Sequence, residues 1–135
     1  MTSYILDATS VQPLSGNKPK QAIVLCHGYG GDGKDISVLA INWQRFLPDA
    51  IFLCPDAPET CAINPQGYQW FDLTSEKEEI ILEKSLAAEE KLNIFLDQIF
   101  DNFQLEPINL AMVGFRSDRA ALYPHARERR RKAVL

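Results

Sequence analysis

Three short runs of mostly apolar residues along the chain have the length and composition of buried β-strands: residues 21–26, 50–54 and 108–113. A strand that is covered on both faces lacks the polar alternation of a half-exposed strand, and such runs are typical of parallel sheets. We therefore expect the three runs to be neighbouring parallel strands. A shorter apolar run at residues 4–6 predicts an edge strand, followed by a turn-rich loop over residues 11–20.

Between these runs, apolar residues recur every three or four positions, as on one face of a helix. Residues 35–47 have this period, and we expect Asp35 to cap the helix and Pro48 to end it. Ser75 and Glu78 have the spacing of a capping box that opens a second helical region. The buried face of that region is predicted to be the stripe Leu92, Phe95, Leu96, Ile99, Phe100 and Phe103.

Strand and helix signals thus alternate, which predicts an α/β fold with a mostly parallel sheet flanked by helices. The chain has 135 residues, of which 46% are hydrophobic and 24% are charged, as in a single domain with a real core. No apolar run approaches the roughly 20 residues of a membrane span. The start of the chain also lacks the features of a signal peptide, so we expect a cytoplasmic protein.

Charge is distributed unevenly along the chain. Residues 1–114 carry 7 Lys and Arg against 16 Asp and Glu, whereas residues 115–135 carry 7 against 2. Six of the seven basic residues in the last part are Arg, and all eleven Ile precede residue 109. The break predicts two portions, an acidic one over residues 1–115 and a basic tail over residues 116–135.

The segment His27-Gly-Tyr-Gly-Gly-Asp-Gly33 lies between a predicted buried strand and a predicted helix. Read as Gly28-x-Gly30-x-x-Gly33, it fits a dinucleotide-binding loop, with Asp56 about 20 residues on for a ribose hydroxyl. Against this interpretation, Asp32 would put a carboxylate inside the phosphate loop. The alternative is an oxyanion loop, in which a strand followed by His-Gly-x-Gly presents a backbone N–H to a tetrahedral acyl intermediate.

Four segments of the chain occur in an order and spacing that one family shares: Leu25-Cys-His-Gly-Tyr-Gly-Gly-Asp-Gly33, Pro55-Asp-Ala-Pro58, Trp70-Phe-Asp-Leu73 and Met112-Val-Gly-Phe115. On these segments, roughly residues 3–115 resemble the phospholipase/carboxylesterase group of α/β-hydrolases, the relatives of acyl-protein thioesterases. The resemblance implies the N-terminal part of that fold. It also implies cleavage of small carboxylic esters or thioesters by an intact relative, with no cofactor.

The resemblance further assigns individual residues of the site. The oxyanion loop would comprise His27, Gly28, Tyr29 and Gly30, with the backbone N–H of Tyr29 as a donor and His27 hydrogen-bonded to hold the loop in place. Trp70 and Phe71 would line the pocket for the acyl or alcohol part of the substrate, or else would cover the edge of the sheet. The three cysteines have no metal-ligand spacing, and we expect no metal site.

The family continues Val-Gly-Phe with Ser-Gln-Gly, which places the nucleophilic serine on a strained turn. Here Arg116 stands in the nucleophile position, Asp118 replaces the second glycine, and Ser117 comes one residue late as the alternative nucleophile. Only 18 residues follow Ser117, too few for the units that would carry the Asp and His of a triad. We therefore expect a truncated or frameshifted member of the family that is catalytically inactive.

Two further expectations concern partners. The basic run Arg127-Glu-Arg-Arg-Arg-Lys132 makes the chain, alternatively, a non-catalytic module that contacts an acidic partner. Most short basic runs are merely solvated, so we do not expect nucleic-acid binding. A sheet that ends at its central strand leaves a strand edge uncovered, which predicts self-association.

Overall fold

A computed structural model describes residues 3–71 and 77–114 of the chain. The strands in these residues are β1 (Ala8–Val11), β2 (Gln21–Cys26), β3 (Ala50–Pro55), β4 (Glu59–Thr60), β5 (Tyr68–Gln69) and β6 (Leu110–Gly114). The helices are α1 (Gly33–Trp43) and α2 (Glu78–Phe103), and a 3-10 turn spans Pro107–Asn109. The predicted capping residue Ser75, the replaced elbow residues Arg116, Ser117 and Asp118, and the basic tail lie outside the described residues.

The main sheet has four strands in the order β1-β3-β2-β6. Strands β3, β2 and β6 are parallel neighbours, and β1 is antiparallel to β3. The prediction of an α/β fold with a mostly parallel sheet is therefore confirmed. Cys26 is opposite Gly114 in the β2–β6 register, so these two strands end at the same level.

The two helices cover opposite faces of the sheet. Alternate residues of β2 and β3, among them Leu25 and Phe52, pack with Ile36 and Ala40 of α1. The residues between them pack against α2, whose buried side chains in this cluster are Leu92, Phe95, Leu96 and Ile99. Phe100 and Phe103 are partly buried against the same cluster, so the predicted stripe on α2 is confirmed. A strand with apolar residues on both faces is what the unbroken runs indicated.

The predicted edge strand at residues 4–6 is wrong, because the edge strand is β1, which begins at Ala8. Leu6 is buried in the core as a single side chain, and the Tyr4 ring contacts the Phe95 ring edge-on with centroids 5.4 Å apart. The apolar character of residues 4–6 therefore reflects packing against α2 and not strand pairing. Val11, expected to open a loop, is the last residue of β1 and pairs with Phe52.

The ends of α1 also differ from the prediction. Its capping residue is Asp32 rather than Asp35, since the Asp32 carboxylate accepts a hydrogen bond from the Asp35 N–H at 2.7 Å. The regular helix stops at Trp43, and hydrogen bonds from Phe46 to Trp43 and from Leu47 to Gln44 continue the chain as turns before Pro48. The helical period in the sequence ran on through these turns because Leu47 still packs on the core.

Two other elements begin at defined residues. Helix α2 begins at Glu78, with Lys77 in the capping position. Strand β6 begins at Leu110 because the residues before it form the 3-10 turn, in which the Asn109 side chain accepts from the Glu106 N–H at 3.2 Å. The chain between β3 and α2 contains the short antiparallel hairpin of β4 and β5.

Candidate functional site

The glycine loop, residues 27–32, leaves the carboxyl end of β2 and leads into α1. Because Cys26 is opposite Gly114, the loop starts beside the residue that ends β6. Ligands of parallel α/β sheets bind at the carboxyl ends of the strands, where neighbouring loops come together. The candidate site therefore lies between the glycine loop and the end of β6.

His27, the first residue of the glycine loop, is buried, with 3% of its surface exposed. Its Nε2 accepts a hydrogen bond from the Ala57 N–H at 2.9 Å. A ring nitrogen that accepts carries no proton, so the neutral ring has its proton on Nδ1. Nδ1 lies 2.7 Å from the carbonyl oxygen of Gly28 and donates to it. His27 thus links the loop after β3, at Ala57, to the peptide unit between Gly28 and Tyr29.

The Gly28 carbonyl oxygen accepts a second hydrogen bond, from the Gly31 N–H at 3.1 Å. The Gly28 carbonyl and the Tyr29 N–H belong to one planar peptide unit and point in opposite directions. The two hydrogen bonds on the carbonyl therefore set the direction of the Tyr29 N–H. The resemblance pointed to this N–H as a donor and to His27 as the residue that holds the loop, but it did not point to the Gly31 N–H as the second partner of the carbonyl.

The hairpin of β4 and β5 is hydrogen-bonded to the glycine loop. The Gly30 N–H donates to the Tyr68 carbonyl at 2.9 Å, and the Tyr68 N–H donates to the Gly31 carbonyl at 2.8 Å. The Asn64 side-chain amide donates to the Gly30 carbonyl at 2.8 Å. Gly30 has a φ of +84°, a conformation that glycine adopts without strain. Sequence reasoning missed Asn64, because an Asn in a loop with Pro and Gly is typical of any turn.

Trp70 and Phe71 lie in different surroundings. The Trp70 indole N–H donates to the His27 carbonyl at 2.9 Å, and its ring stacks on the His27 ring with centroids 5.5 Å apart and planes at 27°. Phe71 is buried with Ile81 and Ala88 of α2. Trp70 thus borders the glycine loop, and Phe71 packs behind it. A pocket-lining role for either residue stays a prediction.

The amino end of α1 is occupied by carboxylates of the chain itself. Asp56 accepts a hydrogen bond from the Gly33 N–H at 2.7 Å, and Asp32 accepts from the Asp35 N–H. A dinucleotide would place its pyrophosphate on these amides, and Asp56 would have to reach a ribose instead. These contacts argue against the dinucleotide interpretation, since two negative charges already lie where the phosphates would bind.

Other chemistry is sparse in the described residues. No cluster of three or more His, Cys, Asp or Glu that could hold a metal ion is found in residues 3–71 and 77–114. The same residues contain no helix that is long and apolar enough to cross a membrane. All three cysteines are buried thiols, and burial raises the pKa of Cys54 to about 11. Cys54 is thus a poor nucleophile at neutral pH.

The chain is similar to proteins of one family. The family described as phospholipase/carboxylesterase matches residues 8–120. The crystal structure of esterase PE8 is 36% identical with a TM-score of 0.75, over 82% of this chain and 52% of that one. Acyl-protein thioesterase 2 of Zea mays is 25% identical with a TM-score of 0.51, over 81% of this chain and 46% of that one.

A carboxylesterase from Mesorhizobium loti is alike in fold, with a TM-score of 0.64 at 18% identity, over 85% of this chain and 51% of that one. The chain therefore spans about half the length of the solved structures it resembles.

Proposed function

Because the chain belongs to the phospholipase/carboxylesterase family of α/β-hydrolases, we propose that the glycine loop is the oxyanion loop of a site for small carboxylic esters or thioesters. The similarity to an esterase at 36% identity supports this substrate class. The sheet and helices form the N-terminal part of the hydrolase fold, with the loop at the carboxyl edge of the sheet. A cytoplasmic location is part of the same proposal.

The observation that carries the proposal is the Gly28 carbonyl, which accepts from both His27 Nδ1 and the Gly31 N–H. The opposite end of that peptide unit, the Tyr29 N–H, is held in one direction before any substrate arrives. A donor that is already oriented stabilises a developing oxyanion without reorganisation, which is why such donors contribute strongly to acyl transfer. Two hydrogen bonds on the carbonyl also polarise the peptide unit and strengthen its N–H as a donor.

Each residue of the proposed site has its own part. His27 is a positioning residue for the Tyr29 donor, and Gly28 and Gly30 provide a backbone without side chains for close approach of the acyl group. Trp70, which stacks on His27 and bonds its carbonyl, would face the acyl or alcohol part of the substrate. Phe71 would support that wall from behind through its contacts with α2.

A second part of the proposal concerns activity. Arg116 and Asp118 stand where the family has the nucleophilic serine and the second glycine of its elbow. An Arg side chain has no nucleophile at neutral pH, and a residue with a Cβ disfavours the tight turn that the second glycine allows. We propose that the 135-residue chain binds acyl compounds at the loop without hydrolysing them. In this view residues 1–115 are the hydrolase portion and residues 116–135 are a separate basic tail.

Binding and catalysis are tested separately. Butylphosphonate has the tetrahedral anionic shape of the acyl intermediate, and we expect its titration to shift the amide proton of Tyr29 downfield in an ¹H–¹⁵N spectrum. A neutral butyl ketone of the same length is the control ligand and should leave the chemical shift of the Tyr29 amide proton unchanged. Shifts elsewhere in the chain with none at Tyr29 would contradict the proposed oxyanion loop.

For catalysis, we expect the purified chain to hydrolyse a short-chain aryl ester no faster than the unfolded chain does. A fluorophosphonate probe, which reacts with activated serine, should not label it. The matched control is Ser117→Ala, which should behave identically. Robust labelling that Ser117→Ala abolishes would instead make Ser117 the nucleophile of an active enzyme.

A further inference from the structure

The Gly30 carbonyl is the point at which the hairpin turn meets the glycine loop. Asn64 donates its side-chain amide to this carbonyl at 2.8 Å. Gly67 lies against the same group, because a Cβ on residue 67 would overlap the Gly30 carbonyl. Backbone hydrogen bonds to Tyr68 hold the neighbouring Gly30 N–H and Gly31 carbonyl. The hairpin thus fixes every polar group between the Gly30 nitrogen and the Gly31 oxygen except the Gly31 N–H.

The Gly31 N–H connects the hairpin to the proposed donor, the Tyr29 N–H. The Gly30 carbonyl and the Gly31 N–H are opposite ends of one peptide unit, so the bond from Asn64 fixes the direction of the Gly31 N–H. The Gly31 N–H in turn donates to the Gly28 carbonyl at 3.1 Å. The Gly28 carbonyl is the opposite end of the peptide unit that carries the Tyr29 N–H. Two peptide units, joined by the hydrogen bond from the Gly31 N–H to the Gly28 carbonyl, therefore connect the Asn64 amide to the orientation of Tyr29.

We propose that Asn64 is a positioning residue of the oxyanion loop, and that its side-chain amide sets the direction of the Tyr29 N–H through the Gly30–Gly31 and Gly28–Tyr29 peptide units. The inference deepens the proposed function and rests on it for the role of the Tyr29 donor. The connection itself is a property of the hydrogen bonds and holds whether or not the loop binds an acyl group.

A purely local role for the Asn64 amide does not explain these contacts. The turn of the hairpin is closed by its backbone, with the Gly67 N–H donating to the Asn64 carbonyl and the Cys61 N–H to the Gly67 carbonyl, both at 2.9 Å. Within the side chain, the oxygen faces the Gln66 N–H at 3.4 Å, so it is the oxygen that contributes to the turn. The amide nitrogen is directed at the glycine loop instead.

The experiment uses hydrogen exchange of the full chain at micromolar concentration, read at single residues by mass spectrometry with electron-transfer fragmentation. Asn64→Asp keeps the shape and the oxygen of the side chain but removes the donor, and Asn64→Ala removes both. Gln66→Glu is the matched control, because it introduces the same charge in the same turn at an exposed residue. Thermal unfolding of each variant verifies that it folds.

We expect both Asn64 variants to accelerate exchange of the Gly31 amide roughly fivefold, the value of one exposed hydrogen bond. The amides of Gly30 and Tyr68, which bond across the hairpin, should change less than twofold in the same spectra, and Gln66→Glu should leave all three unchanged. Equal acceleration at Gly30, Gly31 and Tyr68 would mean that Asn64 merely attaches the hairpin, and this outcome overturns the proposal.

Unchanged exchange at Gly31 in both variants also overturns it. The two proposals fail in different measurements. Loss of the effect at Gly31 removes the role of Asn64 and leaves the butylphosphonate result at Tyr29 standing. Conversely, if butylphosphonate does not change the chemical shift of the Tyr29 amide proton, the proposed oxyanion loop is refuted while the effect of Asn64 at Gly31 persists. If both stand, Asn64→Asp should also weaken the butylphosphonate shift at Tyr29, and Gln66→Glu should not.

Discussion

Gly33, the first residue of α1, lies directly against the backbone carbonyl of Cys54 near the end of β3, where a Cβ on residue 33 would overlap that carbonyl. The Asp56 carboxylate completes this junction by accepting the Gly33 N–H. The position of α1 on the sheet, and with it the far end of the glycine loop, therefore depends on the absence of a side chain at residue 33.

Gly33→Ala should consequently destabilise the chain, although alanine is the better helix former. Relief of the overlap requires α1 or β3 to move, and overpacking of this kind costs roughly 3 kcal/mol. Urea unfolding followed by circular dichroism measures the change. The matched control is Gly114→Ala, because no atom of the described residues lies within 4 Å of a Cβ added there. Equal stabilities of the two variants would contradict the close approach of α1 to β3.

His27→Phe tests the two hydrogen bonds of the buried imidazole while keeping a flat ring against Trp70. The change leaves the Ala57 N–H and the Gly28 carbonyl without their His27 partner, and a buried polar group that loses its partner costs about 1 to 3 kcal/mol. We expect the free energy of unfolding to fall by roughly 2 kcal/mol or more in urea. Amide exchange at Ala57 should accelerate with it. Exchange at Ala57 that stays slow would contradict the role of Nε2 as acceptor.

Cys54 gives the folded chain a pH dependence of a definite sign. Burial raises the pKa of its thiol to about 11, whereas an exposed thiol in the unfolded chain ionises near 9. The unfolded state therefore releases this proton first as the pH rises, and the free energy of unfolding falls between about pH 9 and 11. The full loss is about 2 to 3 kcal/mol, from two pKa units.

Urea unfolding at pH 8.5 and 10.5 measures that loss. Cys54→Ala should show a smaller drop between the two pH values than the unaltered chain, even though its stability at pH 8.5 is lower. Cys61→Ala is the control with a second buried thiol removed, and it should retain the drop. An identical drop in all three proteins would assign the effect to groups other than Cys54.

The edge of β6 predicts association of the chain with itself. In the described residues β6 is the last strand of the order β1-β3-β2-β6, and its residues 111–113 are only half-buried. An open strand edge with apolar residues pairs readily with another chain. We expect sedimentation velocity at micromolar concentration to detect dimers or larger species, which Phe46→Ser, at an exposed residue on another surface, should not remove. Cooperative thermal unfolding of a monomer would count against this prediction.

Much of the fold could be predicted because its driving pattern is local. Residues 21–26 and 50–54 are apolar on both faces, and helices on both sides of a parallel sheet require that composition. The capping of α1 was harder. Asp32 and Asp35 each have a short carboxylate at a plausible start, and the choice between them is made by the contact of Gly33 with β3, which no local pattern contains.

In the candidate site, too, contacts between residues close in sequence could be predicted and contacts between distant residues could not. The sequence predicts that His27 holds its own loop, and its contact with the Gly28 carbonyl is between adjacent residues. Its other partner, Ala57, is 30 residues away, and Asn64 is 34 residues from Gly30. Contacts at such separations depend on how β3 and the hairpin return to β2. They are made by backbone groups and a turn Asn, which carry no distinctive signal in a single sequence.

The order of these contacts along the chain bears on how the protein is made. The hydrogen bonds described for the glycine loop join residues between His27 and Trp70, which a ribosome produces before α2 and β6. Domains generally fold as units during synthesis, and one face of β2 and β3 is buried only by α2. The residues of the loop and hairpin therefore leave the ribosome first but are expected to gain a stable arrangement only when α2 has been translated and packs on the sheet.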